Sequence, residues 1–132
     1  MERMGAKKRI LVVDDEPSTL GLLRAILKHE KFEVLEARSG EEALEILENQ
    51  TVDLVISDLR MPGMSGVELL DELREWDGEM PVIFISGWGK EKDWLEAVRA
   101  NASALIEKPF RKEVLLKAVR TALTEKQYLR SA

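Results

Sequence analysis

The 132-residue chain is 45% hydrophobic and 34% charged, with a formal net charge of -5. That is enough apolar content for one globular domain, and the length leaves no room for a second. No apolar run approaches the ~18 residues of a membrane span, the basic stretch from Met1 to Arg9 lacks a signal-peptide pattern, and the absence of cysteine rules out disulfides and thiolate metal sites, all of which fits a cytoplasmic protein.

Hydrophobic spacing alternates between two periods along the chain. Ile10 to Val13 is a strand-like run, after which Ser18 to Glu30 places Leu22, Leu23, Ile26 and Leu27 at helical spacing. Pro17 stands near the start of that helix, where a missing N–H does no harm. Phe32 to Ala37 predicts a second strand. Ser39 and Glu42 then form an S-x-x-E capping signal ahead of Ala43, Leu44, Ile46 and Leu47.

Leu54 to Ser57 is the third strand, and Met61-Pro62-Gly63-Met64-Ser65-Gly66 breaks the chain before a helix that carries Val67, Leu69, Leu70 and Leu73 as far as Trp76. Pro81 to Ser86 is the fourth strand, followed by a loop through Gly87, Trp88 and Gly89 and a helix from Lys90 to Ala100. Ala104 to Glu107 makes a short fifth strand, stopped by Lys108-Pro109 because proline cannot donate to a ladder. The final helix runs from Arg111 to Leu123 or beyond and buries Val114, Leu115, Ala118, Val119 and Ala122. Residues 1–8 are expected to be a disordered or tag-like tail, 9–124 the folded domain, and 125–132 the end of the last helix or the start of a linker.

Five strand–helix pairs with short connections predict an α/β fold with a doubly wound five-stranded parallel sheet, because parallel strands need crossovers and crossovers are right-handed. In open sheets of this kind ligands sit beyond the carboxyl ends of the strands. Four apolar runs end there in reactive polar groups: Asp14 and Asp15, Ser57 and Asp58, Ser86, and Glu107 with Lys108. Two like charges about 4 Å apart repel by ~4 kcal/mol at an effective dielectric near 20, so clustered carboxylates either take up protons or bind a cation. A few hard oxygen ligands suit Mg²⁺, which prefers one or two carboxylates plus phosphate oxygens. Asp58 could then act as a nucleophile toward phosphorus, with the Lys108 ammonium neutralising the transferring group.

Asp14-Asp15, Asp58 within D-L-R-M-P-G-M-S-G, Ser86-Gly87 and Lys108-Pro109-Phe110 together resemble the receiver domain of bacterial two-component response regulators, over nearly the whole chain. The resemblance implies a flavodoxin-like sheet of order 2-1-3-4-5 with helices on both faces. It implies that Asp58 accepts phosphate from a sensor histidine kinase or a histidine phosphotransfer protein. Asp15, Asp58 and the backbone carbonyl of Arg60 would hold Mg²⁺, with Asp14 bound to it through water. Ser86 and Lys108 would stabilise the phosphoryl group, and dephosphorylation would be slow.

The family's switch pairs a Thr or Ser at the end of strand four with an aromatic residue three positions before the Lys-Pro. Here that position holds Leu105, in Asn101-Ala102-Ser103-Ala104-Leu105, and Trp88 stands near Ser86 as a substitute lever. Output would be altered binding to a downstream effector, or homodimerisation through the last two helices, with no direct contact to nucleic acid or membrane.

Other classes fit less well. A phosphohydrolase using the same nucleophile, of the haloacid dehalogenase kind, carries a second Asp two residues after it, where this chain has Arg60. A flavodoxin-like cofactor carrier needs a first loop that cradles phosphate, which Asp14-Asp15-Glu16 would repel. A non-switching scaffold does not need the acidic set or Lys108. His29 suits the helix dipole better than phosphotransfer, and Trp76 and Trp94 are expected to pack. Residues 1–87 hold 10 basic and 19 acidic side chains, whereas 88–132 hold 10 and 6, so the last third is mildly basic. Lysines and arginines on late helical turns explain this; a docking face for an acidic partner is the sharper alternative.

Overall fold

In the computed structural model, residues 7–87 and 91–131 are described, with side chains up to residue 124. Strands and helices alternate strictly: β1 (Arg9–Val13), α1 (Pro17–His29), β2 (Glu33–Ala37), α2 (Gly40–Asn49), β3 (Leu54–Asp58), α3 (Gly66–Trp76), β4 (Val82–Ser86), α4 (Glu91–Arg99), β5 (Ala104–Glu107) and α5 (Lys112–Ser131). All strand pairs are parallel, in the order β2-β1-β3-β4-β5. This is the doubly wound arrangement expected from the alternation of periods.

Each strand splits its side chains between two cores. Leu11, Val13, Val55 and Phe84 face α2, α3 and α4, packing with Leu69, Leu70, Leu73 and Ala97. Ile10, Val12, Leu54, Ile56, Ile83 and Ile85 face α1 and α5, packing with Leu20, Leu23, Leu27, Leu115 and Val119. Every residue of β3 and β4 is buried, which is why the central strands read as unbroken apolar runs. The edge strand β2 is half-buried over its first four residues and carries Glu33 and Glu36.

Element ends depart from the expected ones for local reasons. Phe32 is not in β2: its N–H donates to the Leu27 carbonyl while that of Lys31 donates to Lys28, a Schellman closure with Lys31 at φ 71. Ser39 accepts from the Glu42 N–H, but the Glu42 carboxylate takes the Arg38 N–H instead of returning to Ser39, so that capping box is half-made. The complete box lies at α3, where Ser65 and Glu68 cap one another. Arg111 precedes α5 and its carbonyl accepts from Val114 and Leu115. Trp76 and Trp94, expected to pack, are 48% and 58% exposed on the outer faces of their helices.

Candidate functional site

The register sets the carboxyl edge. Val13 is level with Ser57, Asp58 with Ile85, and Ser86 with Glu107, so Asp14, Asp58, Ser86 and Lys108 occupy adjoining ends of β1, β3, β4 and β5. The ladder continues past the strands: the Asp14 N–H donates to the Ala37 carbonyl, Leu59 to Ile85, and Lys108 to Ser86. Backbone pairing therefore fixes where these side chains start. Loop geometry fixes where they end.

The loop after β3 must fold back tightly on Asp58. The Gly66 N–H donates to the Leu59 carbonyl, and a Cβ at Gly66 would stand 2.5 Å from the Asp58 carbonyl oxygen, so only glycine fits. Gly63 at φ 75 makes the preceding turn. The Arg60 N–H donates to Asp58 Oδ1 at 3.1 Å, holding one carboxylate oxygen, and the Ser57 hydroxyl donates to the Asp58 carbonyl at 2.9 Å. On the β1 side, the Glu16 N–H donates to Asp14 Oδ1 at 2.9 Å as the chain turns into α1.

Lys108 sits among three carboxylates. Its Nζ lies 3.2 Å from Asp14 Oδ2, 3.3 Å from Asp58 Oδ2 and 3.4 Å from Glu16 Oε1. Asp14 is 1% exposed and Asp58 7%, whereas Glu16 is exposed. Burial pushes the Asp14 carboxyl above its ordinary range and the Asp58 charge adds to this, against the opposing pull of the Glu16 N–H and Lys108. Burial alone would lower the Lys108 ammonium, but the Asp58 and Asp14 carboxylates outweigh it and raise its pKa. One cation thus serves three anions.

Asp14, Glu16 and Asp58 each offer an oxygen within 4.8 Å of the others, a hard-oxygen set with excess negative charge, and so fit a small divalent cation. Asp15, expected as a direct ligand, has an exposed side chain outside that group, and Glu16 stands inside it. Arg60 is half-exposed and directs its guanidinium to Asp93 and Glu96 of α4. The Asp93 partnership holds that guanidinium firmly protonated.

Ser86 is buried and donates its hydroxyl to Asp93 Oδ2 at 2.7 Å. Leu105 is half-buried against the core on the α2–α4 face, level with Phe84. Trp88 lies outside the described residues. His29 is exposed. Asp93 is the residue that sequence reasoning passed over: in the first turn of a helix it looks like a dipole partner, but Asp93 and Ala97 are four apart and share the buried stripe of α4. Beside Lys108, a groove of about 420 Å³ is lined by Thr19, Leu22, Gly87, Pro109 and Phe110.

Residues 10–120 match the family model of the response regulator receiver domain. The chain is 39% identical over 116 residues to the transcriptional regulatory protein GlrR of Escherichia coli, covering 88% of this chain and 26% of that protein, so it spans about a quarter of that relative's length. It is 38% identical over 118 residues to the chemotaxis protein CheY of Halobacterium salinarum, covering 89% and 98% of the two chains. Among solved structures, the response regulator protein TrrA of Thermotoga maritima in complex with Mg²⁺ and BeF is similar, with a TM-score of 0.80, 36% identity, and coverage of 87% of this chain and 98% of that one. The chain belongs to the response regulator receiver domain family of two-component signalling systems.

Proposed function

We propose that this domain is a phosphorylation-controlled switch in which Asp58 is the phosphoacceptor. The observation that carries the reading is the convergence of Asp14, Glu16 and Asp58 on one lysine at a strand edge open to a groove. An Asp58 oxygen attacks the phosphorus of a phosphohistidine on a sensor kinase or a histidine phosphotransfer protein. The P–N bond breaks as the P–O bond forms, and the imidazole leaves carrying the electron pair and takes a proton. Lys108, already within reach of Asp58, stabilises the phosphoryl oxygens, and the Ser86 hydroxyl is the second donor.

Mg²⁺ would be held by Asp58, Asp14 and the Arg60 carbonyl, with Asp15 or Glu16 completing the acidic side. When bound it neutralises charge on the transferring group. The TrrA neighbour, solved with Mg²⁺ and BeF, supports that choice of ion. The apolar groove beside Lys108 suits a helix of the phosphodonor. Residues 9–124 form the receiver unit, Leu105 and Trp88 take part in the switch, and the output is a changed affinity for an effector or for a second copy through the last two helices. Hydrolysis of the acyl phosphate is slow, and the domain works in the cytoplasm.

Intact-mass spectrometry after treatment with acetyl phosphate and Mg²⁺ tests this. The wild type gains one phosphoryl mass and Asp58→Asn gains none; an equal gain in Asp58→Asn contradicts the assignment.

A further inference from the structure

Asp93 bridges three elements. It is 2% exposed in α4, and its two oxygens face different partners. Oδ2 accepts the Ser86 hydroxyl proton from the end of β4, and Oδ1 makes a close ion pair with the Arg60 guanidinium from the loop after β3. Arg60 also reaches Glu96 Oε1 at 3.4 Å, one turn further along α4. A serine hydroxyl has one proton to donate. While Ser86 gives it to Asp93, it has none for a phosphoryl oxygen on Asp58.

We propose that Asp93 is a positioning residue that holds Ser86 and Arg60 in a latch across β4, α4 and the loop after Asp58, and that phosphorylation opens the latch by drawing the Ser86 hydroxyl to the phosphoryl group. This rests on the reading of Asp58 as the acceptor. Both donors sit next to that residue: Arg60 is two positions after it, and Ser86 ends the neighbouring strand.

Opening has a structural consequence. Arg60 keeps its pairing with Asp93 Oδ1, but a carboxylate this buried is destabilised by losing the Ser86 donor at Oδ2, because giving up a hydrogen bond inside the protein is costly. Asp93 then turns toward water, and it carries the first turns of α4 with it. The latch therefore converts a local hydrogen-bond exchange into movement of a helix whose outer face exposes Trp94, Leu95 and Val98. Leu105 leaves the family's usual aromatic lever without a ring, and Asp93 offers a different route from Ser86 to α4.

The test is a titration with beryllofluoride and Mg²⁺, followed by backbone amide NMR, on the wild type, Asp93→Asn and Asp93→Ala, each also combined with Ser86→Ala. Freeing the hydroxyl should tighten beryllofluoride binding by about tenfold in Asp93→Ala. The gain should be smaller in Asp93→Asn, whose neutral amide oxygen still accepts the Ser86 proton at roughly half the strength. Neither gain should survive in the Ser86→Ala background. Amides of 91–99 in ligand-free Asp93→Ala should already lie near the wild-type bound positions, a signature that loss of packing alone does not produce.

Equal affinities across the folded variants, or the same gain with and without the Ser86 hydroxyl, overturn the latch. If Asp93→Ala does not fold, the isosteric Asp93→Asn decides by the same criteria. A wild type that binds no beryllofluoride overturns the acceptor reading itself, and this is distinct from a wild type that binds with variants that match it.

Discussion

The two edges of the same sheet treat charge in opposite ways. At the amino-terminal edge Arg9 is matched: its Nε pairs with Glu33 at 2.8 Å, its backbone N–H donates to Asp53 at 2.7 Å, and its Nη1 donates to the Thr51 carbonyl. At the carboxyl edge three carboxylates share the single ammonium of Lys108, and two of those carboxylates are buried. A cavity lies at each edge, about 400 Å³ around Leu47, Leu73 and Met80 and about 420 Å³ beside Lys108, but only the second borders the unbalanced charge. Balanced charge belongs to stability, and the surplus of negative charge suits a small divalent cation. Substitutions at the two edges should separate these roles.

Lys108→Ala should have the largest effect, slowing phosphoryl uptake from acetyl phosphate by about 100-fold, the scale of losing one donor to a developing charge. Stopped-flow fluorescence or timed mass spectra would measure it. Next comes Gly66→Ala, whose Cβ would meet the Asp58 carbonyl at 2.5 Å and the Leu59 Cα at 3.0 Å. Its urea midpoint should fall by the equivalent of about 2 kcal/mol, because backbone cannot yield as a side-chain tip can.

Asp14→Asn should go the other way and stabilise the metal-free protein by about 1 kcal/mol at neutral pH, while weakening the stabilisation that Mg²⁺ confers on the wild type. The sign follows from the raised Asp14 pKa. Below about pH 3.9 the carboxyl is neutral folded or unfolded, and the two proteins should match. As pH rises from there the unfolded chain ionises first, the wild type loses stability, and the gap opens until the native pKa is passed. Denaturation across acid and neutral pH checks this, and a gap that closes with rising pH would contradict it.

Lys31→Gly should have the smallest effect. It relieves the left-handed φ of 71 at the amino-terminal edge, raising stability by about 0.5–1 kcal/mol without changing Mg²⁺ binding.

The alternation of strand and helix was legible because β3 and β4 are buried on both faces and so cannot avoid apolar residues, while α1 and α5 show one apolar stripe each. The carboxyl-edge cluster was legible for the same reason, since each strand end marks its own polar terminus. That Glu16 comes within reach of the Lys108 ammonium was not. That depends on the backbone turn into α1, where Glu16 takes the N-cap position at φ -97 and ψ 115. Asp93 was hidden because a charged residue in a helix's first turn has an ordinary explanation in the dipole, and only packing against Ser86 reveals its burial. The outward Trp76 and Trp94 were misjudged because aromatic content alone does not say which side of a helix faces the sheet.

The most direct measurement is to locate the label. After treatment with acetyl phosphate, reduction by borohydride and fragment mass analysis, the account predicts modification at Asp58 alone, dependent on Mg²⁺ and abolished by a chelator. Modification at another carboxylate, or equal labelling with the ion removed, would contradict it.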